Sequence, residues 1–261
     1  MKKIGIKPKK VVLIIIISLL FVFLCGFGFI YFQNDKKVAV LAYHGILPKE
    51  LNTSGDNLVV DMETFESEIK LLKKAGYESM TLKDFYCWKN GECKKKHKSV
   101  LITFDDGYTN NYDYAFKILK KYDMNAVVFC VGSYIEKSKG TMYFSTEMLE
   151  EIKEKYPNIE IASHSYNLHF RSDKTYDEVD ADVEVMDKMI NSKYYAYPFG
   201  NYNDDYVKAL KDNNYKLAFT FGPGKEYRKA DIKDDNLKIP RLNVSNDMPI
   251  WKFIARVILP I

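Results

Sequence analysis

Histidine and cysteine are scarce, with four of each among 261 residues, and neither an internal repeat nor a low-complexity tract is present outside one apolar run near the start. No repeat architecture is therefore implied. Charge of one sign is not in excess either. The formal net charge of +4 includes Lys2, Lys3, Lys7, Lys9 and Lys10, which all precede the apolar run, so the remainder is close to neutral and offers nothing to hold nucleic acid. Hydrophobic residues at 47% and charged residues at 28% exclude a disordered chain.

The run from Val11 to Phe32 lacks charge and proline. As a helix rising about 1.5 Å per residue it crosses a hydrocarbon core of about 30 Å. The lysines ahead of it favour a cytoplasmic start and an outer location for everything after Phe32. A cleavable signal peptide is the rival reading, but the run is long for one and ends in Phe29, Ile30, Tyr31 and Phe32 without a small-x-small site. Val22, Phe23 and Leu24 lack the small residues that lipoprotein processing at Cys25 needs, so Cys25 reads as part of the span. The expected organisation is a cytoplasmic basic tail over 1–10, a transmembrane anchor over 11–32, a polar link from Gln33 to Lys37 and one extracellular domain over 38–261. Cys130 lies in an apolar run and is expected to be buried. Cys87 and Cys93 flank a turn-like stretch where they pair or remain two free thiols.

Beyond the link, short apolar strands alternate with amphipathic helices. Strands are predicted at Val38–Tyr43, Ser99–Phe104, Ala126–Val131, Ile159–Ser163, Tyr194–Tyr197 and Lys216–Thr220. Between them, Phe65, Ile69 and Leu72 recur at helical spacing behind a cap at Asp61 or Thr64, and Gly76 stops that helix. Further helices are predicted over Asn111–Lys121, Thr146–Lys155, Tyr176–Ile190 and Asp204–Asn213. This order implies an α/β fold with a parallel sheet, open or closed into a barrel, whose chemistry gathers at the carboxyl ends of the strands.

Three predicted strand ends carry polar residues: Tyr43-His44-Gly45, Thr103-Phe104-Asp105-Asp106-Gly107-Tyr108, and the segment from Ser163 to His169. Adjacent aspartates after an apolar strand are costly near a core unless a cation or hydrogen bonds offset the charge, although Asp-Asp-Gly is also an ordinary turn. His164 and His169, five apart, fall on opposite faces of a strand and align poorly on a helix, so a loop has to bring them together. Two imidazoles and one carboxylate leave open positions on a divalent ion, the pattern of a catalytic site.

These motifs together resemble the polysaccharide deacetylase family of carbohydrate esterases over roughly Val38 to Val244. The resemblance implies a distorted (β/α) barrel that removes acetyl groups from an N-acetylated surface polysaccharide. It also implies one divalent ion on Asp106, His164 and His169, usually zinc with cobalt, nickel or manganese as alternatives, and Asp105 as general base. Tyr197-Pro198-Phe199-Gly200 resembles the family's third motif, which places Tyr197 and Phe199 at the substrate and gives the Phe199 N–H to the oxyanion. The usual arginine before that motif is missing, and Arg241 is the expected orienting cation for Asp105. The commonest histidine spacing in the family is four, and a later histidine acts as the acid; here the spacing is five and no histidine follows His169. Both departures resemble the branch acting on poly-N-acetylglucosamine, in which an early Tyr-His pair supplies the acid, a place that His44 fits. Peptidoglycan is the alternative polymer, and an inactive glycan-binding barrel the alternative class. His97 is given no role.

Overall fold

The computed structural model describes residues 8–53, 55–137, 142–171, 173–221 and 228–259. Most of the expected basic tail, with Lys2, Lys3 and Lys7, lies outside the described residues. The helix Pro8–Asp35 is long and apolar enough to cross a membrane, and its side chains from Val11 to Leu24 stand largely exposed. The polar link is shorter than expected. Gln33 to Asp35 continue the helix, so only Lys36 separates it from the strand Lys37–Tyr43.

The predicted strands all form, and the sheet runs from Lys37–Tyr43 through Ser99–Asp106, Ala126–Cys130, Ile159–Ser163 and Tyr194–Ala196 to Leu217–Thr220, each parallel to the next. One short segment closes the ring. Ile239–Pro240 pairs with Phe219 and Thr220, and Leu242–Asn243 pairs with Leu41 and Ala42, leaving Arg241 alone at the junction. Pairing thins to Ser163 opposite Tyr195 between two of the strands. The result is the distorted, nearly closed (β/α) barrel that the motifs implied.

Alternation along the strands sorts the core into separate apolar clusters. Val38, Val40, Leu101, Val127, Phe129 and Phe219 belong to one cluster, and Ala39, Leu41, Tyr43, Ile102 and Phe104 to another that includes Phe65, Ile69, Leu72 and Phe116 from the surrounding helices. The second strand extends two residues beyond its predicted end, to Asp106, so both aspartates finish a fully buried strand. Asn111–Ala115 is a π-helical turn leading into Phe116–Lys121 rather than one α-helix. A helix at Leu82–Lys89, not expected, carries Cys87, which is disulfide-bonded to Cys93 with the Cα atoms 5.4 Å apart. Cys130 is buried and Cys25 exposed.

The helix Met62–Lys74 buries Phe65, Ile69 and Leu72 on one stripe, as its spacing predicted, but Glu68 is buried on the same stripe. The Tyr43 hydroxyl donates to Glu68 Oε2 at 2.9 Å. Burial raises the Glu68 pKa from 4.5 to about 8, although the tyrosine hydrogen bond opposes the shift. An acid whose folded pKa is raised contributes stability that is complete below its unfolded pKa and is lost as pH rises through the folded one. Urea denaturation across the interval from 4.5 to 8 should therefore show the native chain weakening with rising pH, by up to about 1.4 kcal/mol for each pH unit. Glu68→Gln should flatten that slope. An unchanged slope would show that Glu68 ionises freely in the folded barrel.

Candidate active site

The carboxyl ends of the strands surround a cavity of about 420 Å³ lined by His44, Asp105, Asp106, His164, His169 and Phe199 among others. Leu101, Thr103 and Asp105 alternate onto the interior side of their strand, and Asp105 there meets Arg241, which reaches across from the barrel closure. Arg241 donates from both terminal nitrogens to the two Asp105 oxygens, each at 2.7 Å. Both side chains are buried, and the guanidinium lies 4.7 Å from the Phe221 ring centroid. Burial alone would raise the Asp105 pKa, but Arg241, His164 and His44 together hold it well below the usual carboxylate range.

Asp106 has the opposite surroundings. Burial first, then the charge of Asp105, pushes its pKa up to about 7. Its backbone takes a positive φ of 71°, followed by Gly107 at 77°, a pair of left-handed residues that turns the chain sharply off the strand end. A Cβ at Gly107 would stand 2.9 Å from Cys130 Sγ, so only glycine fits. The Tyr108 hydroxyl hydrogen-bonds the Asp106 carboxylate, while Oδ1 is buried with no hydrogen-bond partner. His164 Nε2 lies 3.6 Å and His169 Nε2 3.7 Å from that same oxygen. His164 Nδ1–H donates to Ala196 O at 2.8 Å, leaving the Nε2 lone pair for the cluster. Burial lowers the His164 pKa to about 3 and the His169 pKa to about 4, so both rings are neutral at pH 7.

One ligand atom from each of Asp106, His164 and His169 can be chosen so that all lie within 4.8 Å of one another. Donors about 2.1 Å from one ion at tetrahedral angles stand roughly 3.4 Å apart. Two neutral imidazoles and an unpartnered carboxylate oxygen at this spacing therefore fit a divalent cation, whose charge would offset the buried acid.

His44 follows the end of the first strand, with Nε2 3.9 Å from Asp105 Oδ2. Burial pushes its pKa below the ordinary histidine value, while Asp105 opposes that shift. Two neighbours unnoticed in the sequence hold this corner: Asn111 Nδ2 donates to the His44 carbonyl at 2.9 Å, and Asn110 Oδ1 accepts from the Ile46 N–H at 3.2 Å. Asparagines at a helix start are ordinary, so their spacing alone carries no such signal.

Phe199 lies on the rim with a left-handed φ of 55°; the residue is 57% exposed, and its ring centroid lies 5.0 Å from that of His169. Tyr197 does not join it, which corrects the expectation of a substrate-facing side chain. Its ring is fully buried, and its hydroxyl donates to Leu237 O at 2.9 Å. The tight turn Pro198–Gly200 separates the two positions, leaving one aromatic in the core and the other at the cavity.

A parallel barrel with a His/Asp cluster suited to a metal ion, set beside a second aspartate at its carboxyl rim, defines a hydrolase class. Residues 92–218 match the polysaccharide deacetylase family. The poly-beta-1,6-N-acetyl-D-glucosamine N-deacetylase of Staphylococcus epidermidis is 32% identical over 210 residues, which cover 73% of this chain and 70% of that protein. A Bacillus cereus polysaccharide deacetylase superposes with a TM-score of 0.67 at 27% identity, over 85% of this chain and 69% of that one. The Streptococcus pyogenes deacetylase PplD, in complex with acetate, shares the fold with a TM-score of 0.75 at 24% identity, over 85% of this chain and 98% of that one. The chain belongs to the polysaccharide deacetylase family and is a de-N-acetylating hydrolase.

Arg241→Met should leave Asp105 as an unpaired buried charge and weaken the fold near neutral pH by about 3–5 kcal/mol. The paired Asp105 contributes stability above its unfolded pKa, near 3.8, which disappears only as pH falls through the much lower folded value. In the variant the carboxyl titrates above that range, so the deficit should shrink on acidification. A deficit independent of pH in urea titrations would indicate lost packing and no lost charge pairing.

Proposed function

We propose that this chain removes N-acetyl groups from N-acetylglucosamine units of a cell-surface polysaccharide, in particular poly-β-1,6-N-acetylglucosamine, with the barrel held outside the cell by its N-terminal helix. The position of His44 carries this reading. It lines the cavity 3.9 Å from Asp105, so a proton donor and a proton acceptor share one cleft although no histidine follows His169. The Staphylococcus epidermidis relative supports the choice of polymer. Phe170 and Phe199, 77% and 57% exposed and clustered with His169 at ring-centroid distances of 4.8 and 5.0 Å, offer apolar faces on which sugar rings can stack.

In this reading Asp106, His164 and His169 hold one divalent ion, zinc in preference to cobalt, nickel or manganese. Bound there, the ion supplies Lewis acidity toward water and the acetamide carbonyl. Asp105, kept ionised and oriented by Arg241, accepts the proton of the attacking water. The backbone N–H of Phe199 donates to the developing oxyanion. Protonated His44 gives its proton to the sugar nitrogen as the C–N bond breaks, and acetate and a free amine result. The burial that lowers the His44 pKa makes its imidazolium a stronger acid, while Asp105 beside it helps the ring to keep its proton until that step.

The test of substrate is amine release by the purified chain from poly-β-1,6-N-acetylglucosamine and from peptidoglycan side by side. Faster release from the former is expected. Preference for peptidoglycan would move the enzyme to the other polymer, and binding without release from either would make the barrel a glycan-binding protein.

For His44→Ala, turnover on the glycan should fall by about 10² or more, the usual range for a lost general acid. On an activated ester of acetic acid, whose leaving group needs no proton, much of the rate should return. Equal losses on both substrates would assign His44 to positioning or to the fold.

A further inference from the structure

Four residues, Ser165 to Leu168, separate the two histidines of the cluster, and neither strand nor helix fixes their path. This segment needs other support, because a shift of His169 against His164 would separate donor atoms that now converge on Asp106 Oδ1. Ser165 has a left-handed φ of 73°, a strained conformation for a residue with a side chain. The segment therefore has to be held from outside.

The support comes from the helix Tyr176–Ile190, which buries Val179, Asp182, Val183 and Met186 along one stripe. An acid within an apolar stripe is unfavourable unless hydrogen bonds compensate it. Here the Tyr166 N–H donates to Asp182 Oδ2 at 2.7 Å and the Asn167 N–H to Oδ1 at 2.8 Å, and the Leu168 N–H is hydrogen-bonded to the same carboxylate. Charge-assisted bonds of this kind are about twice as strong as neutral ones. From the other side, the Gly132 N–H donates to Ser165 O at 3.0 Å and the Ser133 N–H to Tyr166 O at 2.8 Å. A Cβ at Gly132 would lie 2.7 Å from the Tyr166 ring and 3.3 Å from its Cα, so the missing side chain permits that approach. Leu168 completes the attachment by joining the apolar cluster of Val179 and Val183.

We infer that Asp182 is a positioning residue for the metal site: its carboxylate gathers consecutive backbone N–H groups of the inter-histidine segment and so sets His169 against His164 and Asp106. This inference rests on the reading of those three residues as ligands. It also gives the five-residue histidine spacing a physical support, since the carboxylate takes up amides that neither strand nor helix pairs. Asp182 belongs neither to the residues lining the cavity nor to the cluster suited to an ion, so its effect is exerted through the loop.

The test uses the full chain in detergent as wild type, Asp182→Asn and Asp106→Ala, with zinc affinity measured against a chromophoric chelator and the visible spectrum recorded after cobalt loading. Asparagine keeps the volume but removes the charge and one acceptor oxygen. Asp182→Asn should bind zinc about 10- to 100-fold more weakly, the usual effect of losing a group that orients a ligand, and should show a changed cobalt spectrum. A variant with lowered thermal stability but wild-type zinc affinity and cobalt spectrum would reduce Asp182 to a structural role and overturn the inference. Wild-type chain binding zinc no better than Asp106→Ala would instead remove the ligand reading, and the inference with it. Should Asp182→Asn not fold, Asp182→Glu, which keeps the charge but displaces both oxygens by one methylene, is read by the same two measurements: weaker binding with a changed spectrum supports the inference, and wild-type values overturn it.

Discussion

The ion pair between Arg241 and Asp105 joins the architecture of the barrel to its chemistry. Arg241 is the single residue between the short strand that pairs with Phe219 and Thr220 and the one that pairs with Leu41 and Ala42, so the ring closes around it. Its side chain turns inward to Asp105, its Nη1 also lies 3.4 Å from Thr103 Oγ1, and its backbone N–H donates to Thr220 O. A buried pair of this kind is poor evidence for stability, since desolvation consumes most of the attraction, but removal of either partner leaves a strongly destabilising charge. The closing segment and the carboxylate on the second strand are therefore held to one another. The rim groups that surround Asp105 take their positions from the same closure.

Two adjacent aspartates consequently have different acidities. Asp105 faces a guanidinium and remains ionised, whereas Asp106, next to that fixed negative charge and buried, is raised to about 7. Divergent environments for neighbouring acids are the usual way in which one site acquires two roles. The proposed division follows the same lines. In that proposal the carboxylate with both oxygens engaged by Arg241 would act on protons, and the one with a buried, unpartnered oxygen would be stabilised by a cation.

The apolar helix enters the amino end of the first strand, and His44 follows the carboxyl end of that same strand. Seven strand residues extend for about 23 Å. Under the proposed topology, the cavity therefore opens away from the membrane, where an external polymer has access.

Much of this was legible in local sequence. Val38–Tyr43 and Ala126–Cys130 are apolar on both faces because both faces are covered, and such runs identify themselves. The amphipathic stripes of Met62–Lys74 and Tyr176–Ile190 are equally plain, as is the Asp105-Asp106-Gly107 motif at a strand end, although the strand itself runs on through both aspartates. The two acids buried within those stripes, Glu68 and Asp182, look like surface residues slightly out of phase, since their partners lie 25 and about 15 positions away in the chain. Neither the burial of Tyr197 nor the pairing of Arg241 with a carboxylate 136 residues distant is encoded in local periodicity. Periodicity reports which face of an element is dry, whereas the partner of a buried charge depends on where the closed barrel brings distant strand ends together.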